Sequence, residues 1–206
     1  MLSQEDVDRY LPAYKPSQRL DADDPISMGM YATPEYYLEF RYEHDQAMKR
    51  AKTAISKAGK EFGEMFGRDY SALVEGYRLE DADTAIIAMG SLCGTIKDSI
   101  DEMRSAGKKV GLLKIRCFRP FPADEIRNAL SHVKRVAVLD KNISVGAKGA
   151  VAIEVRDALY GKTVPVFGYI LGLGGRDVRI SDIKNIVSLA ESGKGDQFYG
   201  LRTEVL

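Results

Sequence analysis

Residues 84–115 read TAIIAMGSLCGTIKDSIDEMRSAGKKVGLLKI, and the pattern in this stretch decides the fold. Residues 84–90 are an apolar run closed by a glycine. Residues 95–106 then place Ile96, Ile100 and Met103 at the three-and-four spacing of a helix with one buried face. Residues 109–115 return to a short apolar run. Strands that look apolar throughout are buried on both faces, and a strand–helix–strand series with short turns calls for a parallel pair and a right-handed crossover. The alternation continues with a helix at 123–133, a strand at 135–140, a helix at 147–160, a strand at 164–170 and a helix at 181–190. The fold class that follows is α/β, an open, mainly parallel sheet with helices on both faces.

Upstream the pattern changes. Residues 1–33 combine Pro12, Pro16 and Pro25 with the acidic Asp21, Asp23 and Asp24 and show no strand or helix period, so they read as an irregular N-terminal arm or linker. Thr33-Pro34 has the form of an N-cap followed by proline in the first turn. Behind it Tyr37, Phe40, Met48, Ala51, Ile55, Ala58, Phe62 and Met65 predict a long amphipathic helix with one buried face. The chain thus divides into an arm at 1–33, a long helix with its connection at 34–82, and an α/β domain at 83–206.

Composition excludes several functions. A chain of 206 residues that is 45% hydrophobic can bury one main core with an appendage. Thirty basic residues balance thirty acidic ones, so no net field favours nucleic acid or an anionic membrane. No apolar run approaches the roughly 18 residues of a membrane span, and the acidic N-terminus is unlike a signal peptide, which together predict a cytoplasmic protein. Cys93 and Cys117 are too few to ligate an iron–sulfur cluster and lack zinc spacing. His44 and His132 stand in different elements and read as ordinary surface or core histidines.

The strand ends are where chemistry would sit. After the first strand, Gly90-Ser91-Leu92-Cys93-Gly94-Thr95 opens a helix whose free N–H groups suit an anion, although Ser91 as a helix cap is the plainer reading. Cys93 there would be reactive only if the helix lowered its pKa. The second strand runs into RCFRPFP at 116–122, where Arg116 and Arg119 suit carboxylate or phosphate and equally suit pairing with carboxylates across a subunit contact. Residues 144–149 fail the Walker pattern. The last strand ends in YILGLGGRDV at 169–178, which offers Gly172, Gly174, Gly175, Arg176 and Asp177 as a docking or anion-binding turn, Arg176 and Asp177 being expected to form a local or intersubunit ion pair. No nucleophile, base and orienting group come together, so no catalytic, cofactor-binding or metal residue is assigned.

Five stretches in order carry a resemblance. TPEYYLEFRYEHDQAMKRA at 33–51, FGRDY at 66–70, EMRSAGKKVGLLKIRCFRPFP at 102–122, VAVLDKNISVGAKGAV at 136–151 and GLGGRDV at 172–178 resemble the C-terminal half of the alpha subunit in the pyruvate:ferredoxin oxidoreductase family. The resemblance implies a transketolase C-terminal type of domain. It also implies an enzyme that decarboxylates a 2-oxoacid oxidatively with thiamine diphosphate, Mg, iron–sulfur clusters and coenzyme A, handing electrons to ferredoxin. None of these cofactors is expected to be bound by this chain alone, which carries neither a GDG motif nor a ferredoxin-like cysteine array. The implied role is a scaffold: the long helix and the loops 116–122 and 172–178 would dock against the thiamine-binding and ferredoxin-like parts or a second copy in a homodimer. A branched-chain 2-oxoacid is the alternative substrate within the family. A rival of another class is a coenzyme A or nucleotide-binding module using Gly90–Thr95 and Gly172–Arg176. Met1 followed by linker-like residues fits both a fragment and a split subunit.

Overall fold

The computed structural model describes residues 1–29 and 31–205; Met30, in the predicted arm, and Leu206, in the predicted α/β domain, lie outside the described residues. The chain forms two units, residues 1–71 and 72–206.

The first unit is built on two helices. α1 (Gln4–Tyr10) interrupts the arm that sequence reads as irregular. Its Ser3 side chain accepts from the Asp6 N–H while Asp6 accepts from the Ser3 N–H, a reciprocal cap at a helix start. α2 (Pro34–Phe66) spans 33 residues, with Thr33 at the N-cap and Gly67 closing it in the left-handed conformation. The Thr33 hydroxyl makes no capping bond. The expected buried face is corrected here, because α2 contains no fully buried residue. Among the described residues, aromatic neighbours cover only its C-terminal end: the Tyr10 ring meets Phe62 at 5.5 Å and Phe66 at 5.9 Å, and Tyr70 lies 5.6 Å from Phe62. Tyr10 also donates its hydroxyl to the Ala58 carbonyl at 2.8 Å. Gly59 is required at this crossing, since a Cβ there would strike the Tyr70 backbone.

The second unit holds a six-stranded sheet. Its elements in chain order are β1 (Val74–Tyr77), β2 (Thr84–Met89), α3 (Leu92–Ser105), β3 (Val110–Ile115), α4 (Ala123–Ala129), β4 (Arg135–Asp140), α5 (Ala150–Ala158), β5 (Val166–Ile170), α6 (Ile180–Glu191) and β6 (Gln197–Phe198). The strand order is β1-β3-β2-β4-β5-β6, with β1 antiparallel to β3 and every other pair parallel. β1 lies in the stretch read as a connection, so the sheet begins at residue 74.

Alternation along the strands builds two cores. Ile86, Ala88, Leu112, Ala137, Leu139 and Tyr169 face α3 and α6. Ala85, Ile87, Leu113, Ile115, Val136 and Val138 face α4 and α5. Burying both faces is what makes these strands read as continuous apolar runs. α3 carries the chain from β2 outward to β3 on one face, while α4 and α5 carry it the other way on the opposite face, so these three crossovers share one hand. α6 lies on the face of α3 yet advances in the direction of α5. Its crossover to β6 therefore has the opposite hand, an exception to the uniform right-handed winding expected.

β6 covers little of β5. It pairs only at Tyr169 with Gln197 and Ile170 with Phe198. Further back, the Asp196 carboxylate accepts from the Gly168 N–H at 3.2 Å, and Arg156 donates to the Val166 carbonyl at 2.9 Å. Asp196 is itself held by Lys148 and Arg156. Among the described residues no helix is long and apolar enough to cross a membrane.

Candidate docking and anion-binding surface

Arg116 leaves β3 beside β1, and its guanidinium donates to Glu75 at 2.9 Å. Lys97 from α3 reaches the same carboxylate at 3.0 Å and Lys114 stands 3.6 Å away. Burial pulls the Glu75 carboxyl upward, but hydrogen bonds and charge from Lys97 and Arg116 outweigh it and hold the group below the usual carboxylate range. Sequence reasoning missed Glu75 because β1 has only four residues and no apolar run. Arg119 pairs with Glu154 of α5, donates to the Phe118 carbonyl at 2.9 Å and lies 4.3 Å over the Phe118 ring. Phe118 and Phe121 pack edge to face at 6.0 Å and fasten this loop to the core beneath α4 and α5. Both arginines thus meet carboxylates of their own unit.

The other strand-end groups are structural. Ser91 occupies the N-cap of α3 without a side-chain capping bond, which corrects the capping role read for it. Burial pushes the Cys93 thiol up against the opposing pull of Lys114 and Lys97, the reverse of an activated thiolate. Asp140, 2% exposed, ends β4 and accepts from the N–H groups of Val151 and Ala152 at 3.0 Å each, capping α5 from a distance. Burial raises its pKa despite those two bonds. Gly149 touches this carboxylate so closely that a Cβ would collide with it. His132 hydrogen-bonds the Leu79 carbonyl at 2.8 Å. Among the described residues no group of three or more His, Cys, Asp or Glu is placed to hold a metal ion.

The glycine-rich turn after β5 borders a surface cleft. Gly172 turns the chain at φ 66°, where a side chain would be strained, and a Cβ there would also lie 3.0 Å from Lys141 and 3.1 Å from Val178. A short 3-10 turn, Leu173–Gly175, follows. Arg176 then folds back to donate to the Gly200 carbonyl at 2.5 Å. This bond replaces the local Arg176–Asp177 pair expected from sequence, which the described residues do not form. Between this turn, the start of α6 and residues 199–202 lies a cleft of about 360 Å³ that includes Arg176, Asp177, Arg179, Asp182 and Arg202. On its other side Arg176 and Tyr199 border a smaller groove of about 230 Å³ with Leu173, Phe198 and Leu201. Gly172, Arg176 and Asp177 are therefore brought together; Arg116, Arg119 and residues 90–95 do not line this cleft. Arg179 and Arg202 escaped sequence reasoning because neither lies in a patterned segment, and a sequence separation of 24 residues hides the Arg176–Gly200 bond.

Comparison with known proteins finds relatives of this chain. Residues 82–183 match the model of pyruvate:ferredoxin oxidoreductase core domain II. A pyruvate synthase subunit PorA of Methanothermobacter thermautotrophicus is 50% identical over 190 residues, covering 92% of this chain and 49% of the relative. A ketoisovalerate oxidoreductase subunit VorA of Pyrococcus horikoshii is 47% identical over 204 residues, covering 96% of this chain and 52% of the relative. The chain thus spans about half the length of the curated relatives it matches. A solved 2-oxoglutarate:ferredoxin oxidoreductase of Magnetococcus marinus aligns with TM-score 0.47 and 23% identity over 58% of this chain and 20% of that one. From its matched core domain and its relatives together, the chain belongs to the pyruvate:ferredoxin oxidoreductase family of 2-oxoacid oxidoreductases.

Proposed function

We propose that this chain serves as a scaffold and docking part of a pyruvate:ferredoxin oxidoreductase, the enzyme that decarboxylates pyruvate oxidatively to acetyl-CoA and passes electrons to ferredoxin. The observation that carries this reading is the 50% identity to a pyruvate synthase subunit over 92% of the chain. Thiamine diphosphate, Mg, iron–sulfur clusters and coenzyme A would supply the difficult chemistry from other parts of the assembly. Two cysteines, one of them buried, do not fit a four-thiolate cluster within this chain. What its residues offer is a rigid α/β unit of the transketolase C-terminal type. The Arg116–Pro122 loop is locked to its own core, and the Gly172–Val178 turn faces outward between charged and apolar grooves. The apolar groove suits contact with thiamine-binding and ferredoxin-like partners or a second copy, in a cytoplasmic enzyme. The 47% identity to a ketoisovalerate subunit favours a branched-chain 2-oxoacid as the second reading.

The test is to purify the native assembly containing this chain and follow ferredoxin reduction with coenzyme A and either pyruvate or 2-oxoisovalerate. We expect reduction with a higher kcat/KM for pyruvate and no turnover by the isolated chain. Preference for 2-oxoisovalerate would select the second reading. An assembly inactive on both, with all cofactors supplied, would sink both.

A further inference from the structure

We infer that the cleft behind the glycine-rich turn is a binding site for a diphosphate-bearing small molecule. Three arginines, Arg176, Arg179 and Arg202, line about 360 Å³ of space together with two acidic residues, Asp177 and Asp182. Among the described residues neither Asp177 nor Asp182 forms an ion pair with these arginines, so Asp177 stays as one opposing charge beside them. Asp182 is turned to its own helix, accepting from the Arg179 backbone N–H at 2.8 Å and from the Tyr199 hydroxyl at 3.4 Å. Arg176 is anchored by one nitrogen to the Gly200 carbonyl, which fixes its planar head at the cleft wall and leaves its other N–H groups available. Arg179 and Arg202 form no ion pair with another described residue. Elsewhere in the α/β unit the arginines of the strand ends behave differently: Arg116 is satisfied by Glu75 and Arg119 by Glu154. Among the described residues of the α/β unit, the excess of arginines without an ion pair is therefore local to this cleft.

Guanidinium groups present forked donors matched to the oxygens of a phosphate, and several arriving from different backbone segments can hold two linked phosphates at once. The three come from the turn, the entrance to α6 and the C-terminal segment, so their convergence depends on the fold. The Ser181 side chain adds a neutral polar group to the lining. This inference stands apart from the oxidoreductase reading, and either can fail without the other.

Inorganic pyrophosphate is the probe, titrated into the full chain by calorimetry and followed by amide shifts in NMR. Saturable binding is expected, with shifts confined to residues 172–182 and 199–202, and it should weaken as salt is raised. The double variant Arg179→Gln with Arg202→Gln removes no ion pair of the described structure. It should weaken binding at least tenfold while leaving the spectrum of the sheet amides unchanged. Citrate at equal ionic strength should compete poorly. Failure to saturate in the millimolar range, undiminished binding by the variant, or equal binding of citrate would each overturn the assignment.

Discussion

Glu75 carries more than its share of charge, since one carboxylate answers Lys97, Lys114 and Arg116. Replacing it by glutamine leaves three cations facing one another and should cost about 1 kcal/mol at neutral pH. The direction with pH is fixed by the lowered pKa. The stabilisation is complete above the unfolded carboxylate value and disappears as pH falls through the lower folded value. Urea denaturation should therefore show a gap between Glu75→Gln and the native chain near pH 7 that closes in acid, and a gap that persists there would refute the account. Gly149 presents a different residue-level constraint, one of space. A methyl group placed against the buried Asp140 carboxylate has nowhere to go, and Gly149→Ala should lower stability by about 1–3 kcal/mol, read as a drop in Tm. A variant as stable as the native chain would show that the Asp140 cap can shift.

At the scale of elements, the apolar runs of β2 to β5 are legible because both faces of each strand are buried, so nearly every residue reports its environment. β1 and β6 are not legible. β1 contains Glu75 and Gly76 within four residues and pairs antiparallel at an edge, while β6 is two residues long. α1 carries a capping signature at Ser3-Gln4-Glu5-Asp6, but its seven residues are too few to show a helical period beside the prolines that follow. The stripe on α2 is correctly spaced, yet spacing cannot say what covers it, and among the described residues only the Phe62 end is covered. Phe62 is the hub there, meeting Tyr10, Phe66 and Tyr70. Phe62→Ala should release α1, seen as faster amide exchange over residues 4–11 with exchange in β2 to β4 unchanged. Equal acceleration in the sheet would mean that the two units unfold as one. Of the candidate site, the turn at 172–177 was legible from its glycines, whereas Arg179 and Arg202 join it only through the path of α6 and the tail.

For the whole molecule, the opposite hand of the last crossover brings the chain end to the outside of β5 and supplies a strand of only two residues. Most of that flank would otherwise present open backbone groups to any passing extended chain. Asp196 on the Gly168 N–H and Arg156 on the Val166 carbonyl occupy those groups with side chains instead. Natural sheets commonly guard such borders with charge. The consequence is colloidal. Asp196→Gly keeps the left-handed backbone at φ 57° while removing the guard, and it should leave the chain folded but raise its tendency to aggregate on warming. Light scattering along a thermal ramp measures this, with onset expected several degrees earlier than in the native chain. An unchanged onset would show that the two residues of β6 are barrier enough.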